Sequence, residues 1–256
     1  MVGAFCAAAA AAATGSFFAA MAAAVVGAGA YGLVVERLVV RHLYRRDHLD
    51  QVLATLGLVL FTNELVTVVF GRSPPFMDIP PALSGSIQLL PGLSYPLMRL
   101  TFIACGILVA VGLWILISRT RVGMLVRAGA DDREMVDALG VDVHRLYMLV
   151  FALGAVLCGF AGVMSAPLLA VQVGMGERIL ITAFVVIVIG GVGSVRGALI
   201  GSLVIGMADA FIPSLLSQMM PPQLSDPLAS SLISASAYIL MALVLLFKPL
   251  GLAARA

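Results

Sequence analysis

An all-α, polytopic transmembrane helical bundle of about seven spans is the fold class this sequence predicts, and three observations carry it. Of the 256 residues, 62% are hydrophobic, where a soluble domain holds roughly 45–50%. Charged residues make up 11%, against about 25% in an ordinary domain. The apolar residues gather in runs at about 1–35, 51–70, 97–118, 146–170, 179–192, 197–213 and 229–247. A soluble fold of this composition lacks the polar side chains to cover its surface. A soluble enzyme and a disordered chain are therefore excluded. A net charge of only +2 also argues against a nucleic-acid module.

The run at 1–35 is long for one helix and short for two with a loop, and it is counted as one crossing. Before Glu36 its only polar side chains are Thr14, Ser16 and Tyr31. It lacks the basic leader of a signal peptide. The runs at 51–70 and 97–118 are separated by a segment with Pro74, Pro75, Pro80, Pro81, Pro91 and Pro96, which forbids a continuous helix. Between 179–192 and 197–213 lies a glycine-rich turn, Gly190 to Gly197; hydropathy does not say whether it reaches water or stays buried in protein. A second proline-rich loop is expected from Pro213 through Pro227.

Arginine placement sets the orientation. One loop carries Arg37, Arg41, Arg45 and Arg46, and another carries Arg119, Arg121, Arg127, Arg133 and Arg145. Arg196, Lys248 and Arg255 join that side if every run crosses once. The opposite side keeps Arg72, Arg99 and Arg178. The 36–50 and 119–145 loops and the C-terminus are thus expected in the cytoplasm. The same count puts Met1 outside, which predicts a further helix ahead of it. Residues 1–256 read as a single transmembrane domain with the 119–145 loop as its main cytoplasmic feature.

No catalytic constellation is present. The sole lysine, Lys248, follows Phe247, so there is no phosphate-binding loop of the Gly-x-x-x-x-Gly-Lys type. His42, His48 and His144 sit in the basic loops rather than in a metal-ligand pattern, and Cys6, Cys105 and Cys158 are far apart in apolar stretches, as for small buried hydrophobes. No cofactor and no metal is expected.

Two acids fall inside apolar runs: Glu64, beside Asn63, and Asp209. A carboxylate in hydrocarbon costs at least about 2.5 kcal/mol. Asn63, Glu64 and Asp209 therefore either line a solute path or bond to a neighbouring helix. Gly193, Gly197 and Gly201 recur every four residues, a spacing that lets helix backbones approach closely in a bilayer. Ala155 with Gly159, and Cys158 with Gly162, repeat it.

The 119–145 loop holds the sharpest local pattern. Asp131 is placed to cap a short helix, with Glu134 three residues later as in a capping box, and Gly140 as its stop. Met135, Val136 and Leu139 then form one apolar face. A helix of about two turns is not stable alone. It needs the membrane surface or a partner's groove to bury that face.

The residues Arg119 to Ala128, followed by Ala138-Leu139-Gly140-Val141-Asp142-Val143, resemble the cytoplasmic loop of branched-chain amino acid ABC transporter permeases. Phe151 to Ala155 with Gly159 to Val163 is similar to the helix after that loop. Gly190 to Ser194 with Gly197 to Gly201 resembles the family's most specific stretch, and Phe247 to Leu252 its ending. The resemblance implies a bacterial inner-membrane subunit of an ATP-driven importer. Its implied partners are cytoplasmic ATPase subunits, a second permease subunit or homodimer partner, a periplasmic solute-binding protein and the lipid bilayer. It also implies that the 131–140 helix couples to the ATPase, and that Asp209 occupies a position where the family often has an acid. The family carries a further helix and an Asn-x-Ala-His-Gly-like segment ahead of the position of Gly3-Ala4-Phe5. Two alternatives stay open: a proton-coupled secondary carrier using Glu64 or Asp209, and a urea or short-amide permease of the same family.

Overall fold

In the computed structural model, residues 1–44, 46–71, 80, 83–90, 93–168, 170–191, 193–219, 238–239, 241–242, 244–246 and 248 are described. The first apolar run does not form one helix. It divides into α1 (Val2–Thr14) and α2 (Phe17–Val35). The break is chemical: Gly15 adopts φ +65° and donates its N–H to Ala11 O at 2.8 Å, while the Thr14 hydroxyl caps back onto Ala10 O at 2.7 Å. Thirteen residues give a helix about 20 Å long, short of the roughly 30 Å of a bilayer core. The expected single crossing by 1–35 is therefore corrected to a short helix plus a long one. Beyond Val35 the chain runs through a π-turn, Glu36–Val40, and one further turn, α3 (Arg41–Leu43).

α4 (His48–Phe70) and α5 (Leu97–Arg119) each fill 23 residues, as hydropathy predicts. Between them, β1 (Ser86–Leu90) pairs antiparallel with β2 (Leu93–Pro96), with a register shift between Gln88 and Leu90. This small hairpin adds a β element to the otherwise helical reading. The expected inward loop is itself helical: α6 (Arg121–Asp131) and α7 (Arg133–Ala138) lead into α8 (Val143–Ser165). Among the described residues, four helices are long and apolar enough to cross a membrane: Phe17–Leu43, Leu49–Phe70, Leu97–Arg119 and Val143–Ser165. α9 (Met175–Gly190) and α10 (Val195–Met219) follow. Pro213 does not end α10, so the second proline-rich loop starts later than expected. Residues 220–237 of that loop and most of the expected 229–247 run lie outside the described residues.

The chain resolves into two compact units, Met1–Gly176 and Glu177–Ala256. In the first, α1 packs against α2 and α8 around Ala4, Phe5, Ala7, Ala20, Ala24 and Val163, all at most 1% exposed. Small side chains are what allow it. A Cβ on Gly159 would stand 2.6 Å from Ala24 O, and one on Gly32 would stand 2.4 Å from the Ala155 Cβ. Van der Waals contact and close backbone approach drive helix association where lipid is as apolar as the side chains. The Ala155/Gly159 spacing thus serves packing inside the chain, and Gly162 does so against Ala4. In the second unit, Val185, Ile189 and Ile205 form the core. A Cβ on Gly201 would meet Val186 O at 2.6 Å, and one on Gly190 would meet Gly197 O at 2.3 Å. Gly197 and Gly201 therefore belong to the α9–α10 contact. Gly193 does not: it lies in the turn at φ +85° with open space around it. The expected three-glycine stripe is corrected accordingly.

Candidate functional site

The 119–145 segment is assembled by three caps in succession. Thr120 accepts from Gly123 N at 3.1 Å, Asp132 from Met135 N at 3.0 Å and Asp142 from Arg145 N at 3.1 Å. Each cap starts a helix that could not start itself. The cap of α7 is therefore Asp132 and not Asp131, which is the last residue of α6. Glu134 stands in the first turn of α7, where its charge suits the helix dipole, but one residue too early for a reciprocal box with Asp132. At the other end Gly140 takes φ +82°. Gly140 N donates to Asp137 O at 2.9 Å and Val141 N to Val136 O at 3.4 Å, the paired bonds of a Schellman stop.

The three apolar residues of α7 part company. Val136 is 5% exposed, whereas Met135 is 58% and Leu139 75% exposed. α7 packs on α6 and α8, so Val136 anchors it from beneath. The expectation that all three lack an internal surface is corrected for Val136. Met135 and Leu139 stay free, and Val122 and Met124 of α6 are exposed too. The segment is tied to the membrane helices by Tyr147, whose Oη donates to Gly129 O at 3.1 Å and whose ring lies 5.4 Å from that of Tyr44.

Within the membrane helices of the first unit is a cavity of about 280 Å³ among α1, α2, α4 and α8. Its walls are small or apolar: Ala28, Gly32, Leu58, Phe151 and Ala155 among them. Its lining also includes the chain's first residue, Met1, and a hydrogen bond between Tyr31 Oη on α2 and Thr62 Oγ1 on α4. Thr62 Oγ1 also donates to Leu58 O at 2.6 Å. Asn63 is half-buried and Glu64 exposed on α4, and neither lines the cavity; Asp209 is exposed on α10 in the second unit. Among the described residues, Glu36, at the start of the π-turn, is the acid that is buried, at 2% exposure. Tyr31 and Glu36 were legible only as polar interruptions at the end of the first run.

No group of three or more potential metal ligands occurs among the described residues. Residues 1–249 match the family described as the branched-chain amino acid transport system / permease component. The chain belongs to that family. It is 30% identical over 236 residues to the high-affinity branched-chain amino acid transport system permease protein BraD of Pseudomonas aeruginosa, covering 90% of this chain and 72% of the relative. The corresponding permease protein LivH of Escherichia coli (strain K12) is 29% identical over 245 residues, or 91% of this chain and 72% of the relative. The fructose import permease protein FrcC of Rhizobium meliloti is 31% identical over a shorter stretch, 37% of this chain and 28% of its own length. No solved structure matches significantly. With its apolar helices, the chain is a transmembrane permease component and a multi-pass membrane protein.

Proposed function

We propose that residues 1–256 form one permease domain of an ATP-driven importer in the bacterial inner membrane, conducting branched-chain amino acids or similar small solutes. ATP hydrolysis resides on separate cytoplasmic ATPase subunits. The other partners are a second permease, of the same or a different sequence, and a periplasmic solute-binding protein that delivers the solute. The observation that carries this reading is the exposed Met135–Leu139 surface on a capped and stopped helix of two turns. A membrane carrier driven by ions has no use for such a surface, while a subunit that must receive motion from a soluble ATPase does. Burying a side chain of this size contributes roughly 1.5–3 kcal/mol, and a few such anchors dominate an interface. The arginine asymmetry supports the same arrangement by placing the 36–50 and 119–145 loops and the C-terminus on the ATPase side.

The test is cysteine labelling on an otherwise cysteine-free background, combined with co-purification of the ATPase. A membrane-impermeant thiol reagent applied from outside is expected to modify a probe at Ser84 and not one at Glu134. The ATPase is expected to protect the Glu134 probe in inverted vesicles. Labelling of Glu134 from outside would reject the orientation and the coupling role together.

A further inference from the structure

The exposure of α7 is one-sided. Among its described side chains only Val136 is buried; Glu134, Met135, Asp137, Ala138 and Leu139 are all exposed. Successive residues on a helix are turned by about 100°. Starting from Val136, the exposed arc therefore reads Leu139, Met135, Ala138, Glu134, Asp137. An apolar pair adjoins the packed side, and two carboxylates close the far side. Neither carboxylate has a hydrogen bond or an ion pair among the described residues.

Charge is divided along the same segment. From 131 to 137 the sequence carries four acids, Asp131, Asp132, Glu134 and Asp137, against the one base Arg133. The stretch before it, 119–128, carries Arg119, Arg121 and Arg127 and no acid. The Arg127 guanidinium donates to Ile117 O in the last turn of α5. Positive charge is thus held at the end of a membrane helix, and negative charge is gathered on α7. Helices that rest on a bilayer carry Lys and Arg on their polar face, because the cytoplasmic leaflet is negative and attracts them. α7 carries the opposite sign. Its apolar pair fits a groove on a soluble protein better than a lipid surface.

We infer that α7 docks into a groove on the ATPase whose apolar floor takes Met135 and Leu139, and whose rim, on one side only, carries Lys or Arg facing Glu134 and Asp137. The inference rests on the ATPase reading above and adds to it the charge and the sidedness of the surface that meets α7. Rim charges of this kind steer the encounter and fix the register more than they add affinity, and salt screens them.

The permease, with its second permease subunit, is held in lipid nanodiscs, and the association rate of its purified ATPase is measured by interferometry. Salt is varied from about 0.01 M to 1 M, which shortens the screening length from about 30 Å to 3 Å. For the unaltered chain the rate is expected to fall about ten-fold or more over that range. Glu134→Lys combined with Asp137→Lys is expected to slow association by a similar factor at low salt and to remove most of the salt dependence. Glu134→Gln combined with Asp137→Asn should fall between. The salt series uses the unaltered chain, so it decides the matter even if a variant fails to accumulate. Association indifferent to salt, or to the charge reversal, overturns the inference. A bimane on Ala138→Cys, with Cys6, Cys105 and Cys158 replaced by alanine, tests the membrane as the occupant in the same assembly. No quenching by lipids with brominated tails is expected, and quenching overturns the docking. Leu139→Asp separates the two readings. Association lost there but untouched by charge reversal rejects the charged rim alone; association kept there rejects the ATPase-coupling reading, and the inference falls with it.

Discussion

Gly32→Ala tests whether the α2–α8 contact sets the stability of the first unit. The new Cβ would stand 2.4 Å from the Ala155 Cβ, while its next neighbours, Ala155 Cα and Phe151 Cε1, lie at an ordinary 3.9 Å. One contact therefore accounts for the whole clash. Overpacking of this kind costs about 1–3 kcal/mol, opposed by up to about 1 kcal/mol of gained helix propensity. Ala155→Gly removes the opposing carbon and costs about 1 kcal/mol of propensity by itself. The double variant exchanges which helix carries the methyl and is expected to recover most of the loss. The two changes should thus be non-additive by about 1–3 kcal/mol, in the favourable direction. Reversible unfolding in mixed detergent micelles, followed by far-ultraviolet circular dichroism, supplies the three differences. Additive effects of the two changes would refute the close approach of these helices.

Leu139→Asp changes a 75% exposed side chain and should leave stability within about 0.5 kcal/mol, while ATPase co-purification and uptake fall together. Val136→Ala, at 5% exposure, should instead lower stability by about 1–2 kcal/mol, measured by the same unfolding assay. Gly140→Val forces a β-branched residue to φ +82°, which is strained; it should weaken ATPase association, while Gly140→Asn should be tolerated better in co-purification. Glu64→Gln and Asp209→Asn should reduce uptake at unchanged membrane abundance if either acid serves the path. Both side chains are exposed, and unchanged uptake in both variants would remove them from the path.

The class of the fold was legible because a bilayer imposes one length and one composition on each span. Where α4, α5 and α8 begin and end followed from that alone to within a few residues. The division of 1–35 escaped because Thr14-Gly15-Ser16 scarcely lowers an average dominated by alanine, although a glycine at φ +65° stops a helix whatever surrounds it. Asp131 and Asp132 are adjacent acids with equal capping chemistry; only the length of α6 decides between them, and the tertiary packing of α6 on α8 fixes that length. The burial of Val136 beneath Met135 and Leu139 has the same origin, since neighbours on a helix differ by about 100° and packing chooses which one faces in. Tyr31 and Thr62 were each visible as a hydroxyl in an apolar run, but their pairing spans 31 residues of sequence and has no local signal. The glycines divided by role for a comparable reason: Gly197 and Gly201 sit where another backbone arrives, whereas Gly193 sits at a backbone angle, and sequence spacing treats the two alike.

The energy source of uptake is the most direct test of the central reading. Proteoliposomes carrying the permease, its ATPase and its binding protein are loaded with ATP on the ATPase side, and labelled leucine accumulation is measured with and without an imposed proton gradient. The account predicts accumulation that requires ATP and the binding protein, persists when a protonophore collapses the gradient, and is lost in Leu139→Asp. Accumulation driven by the proton gradient without ATP, and abolished by Glu64→Gln or Asp209→Asn, would contradict it and make the chain a secondary carrier.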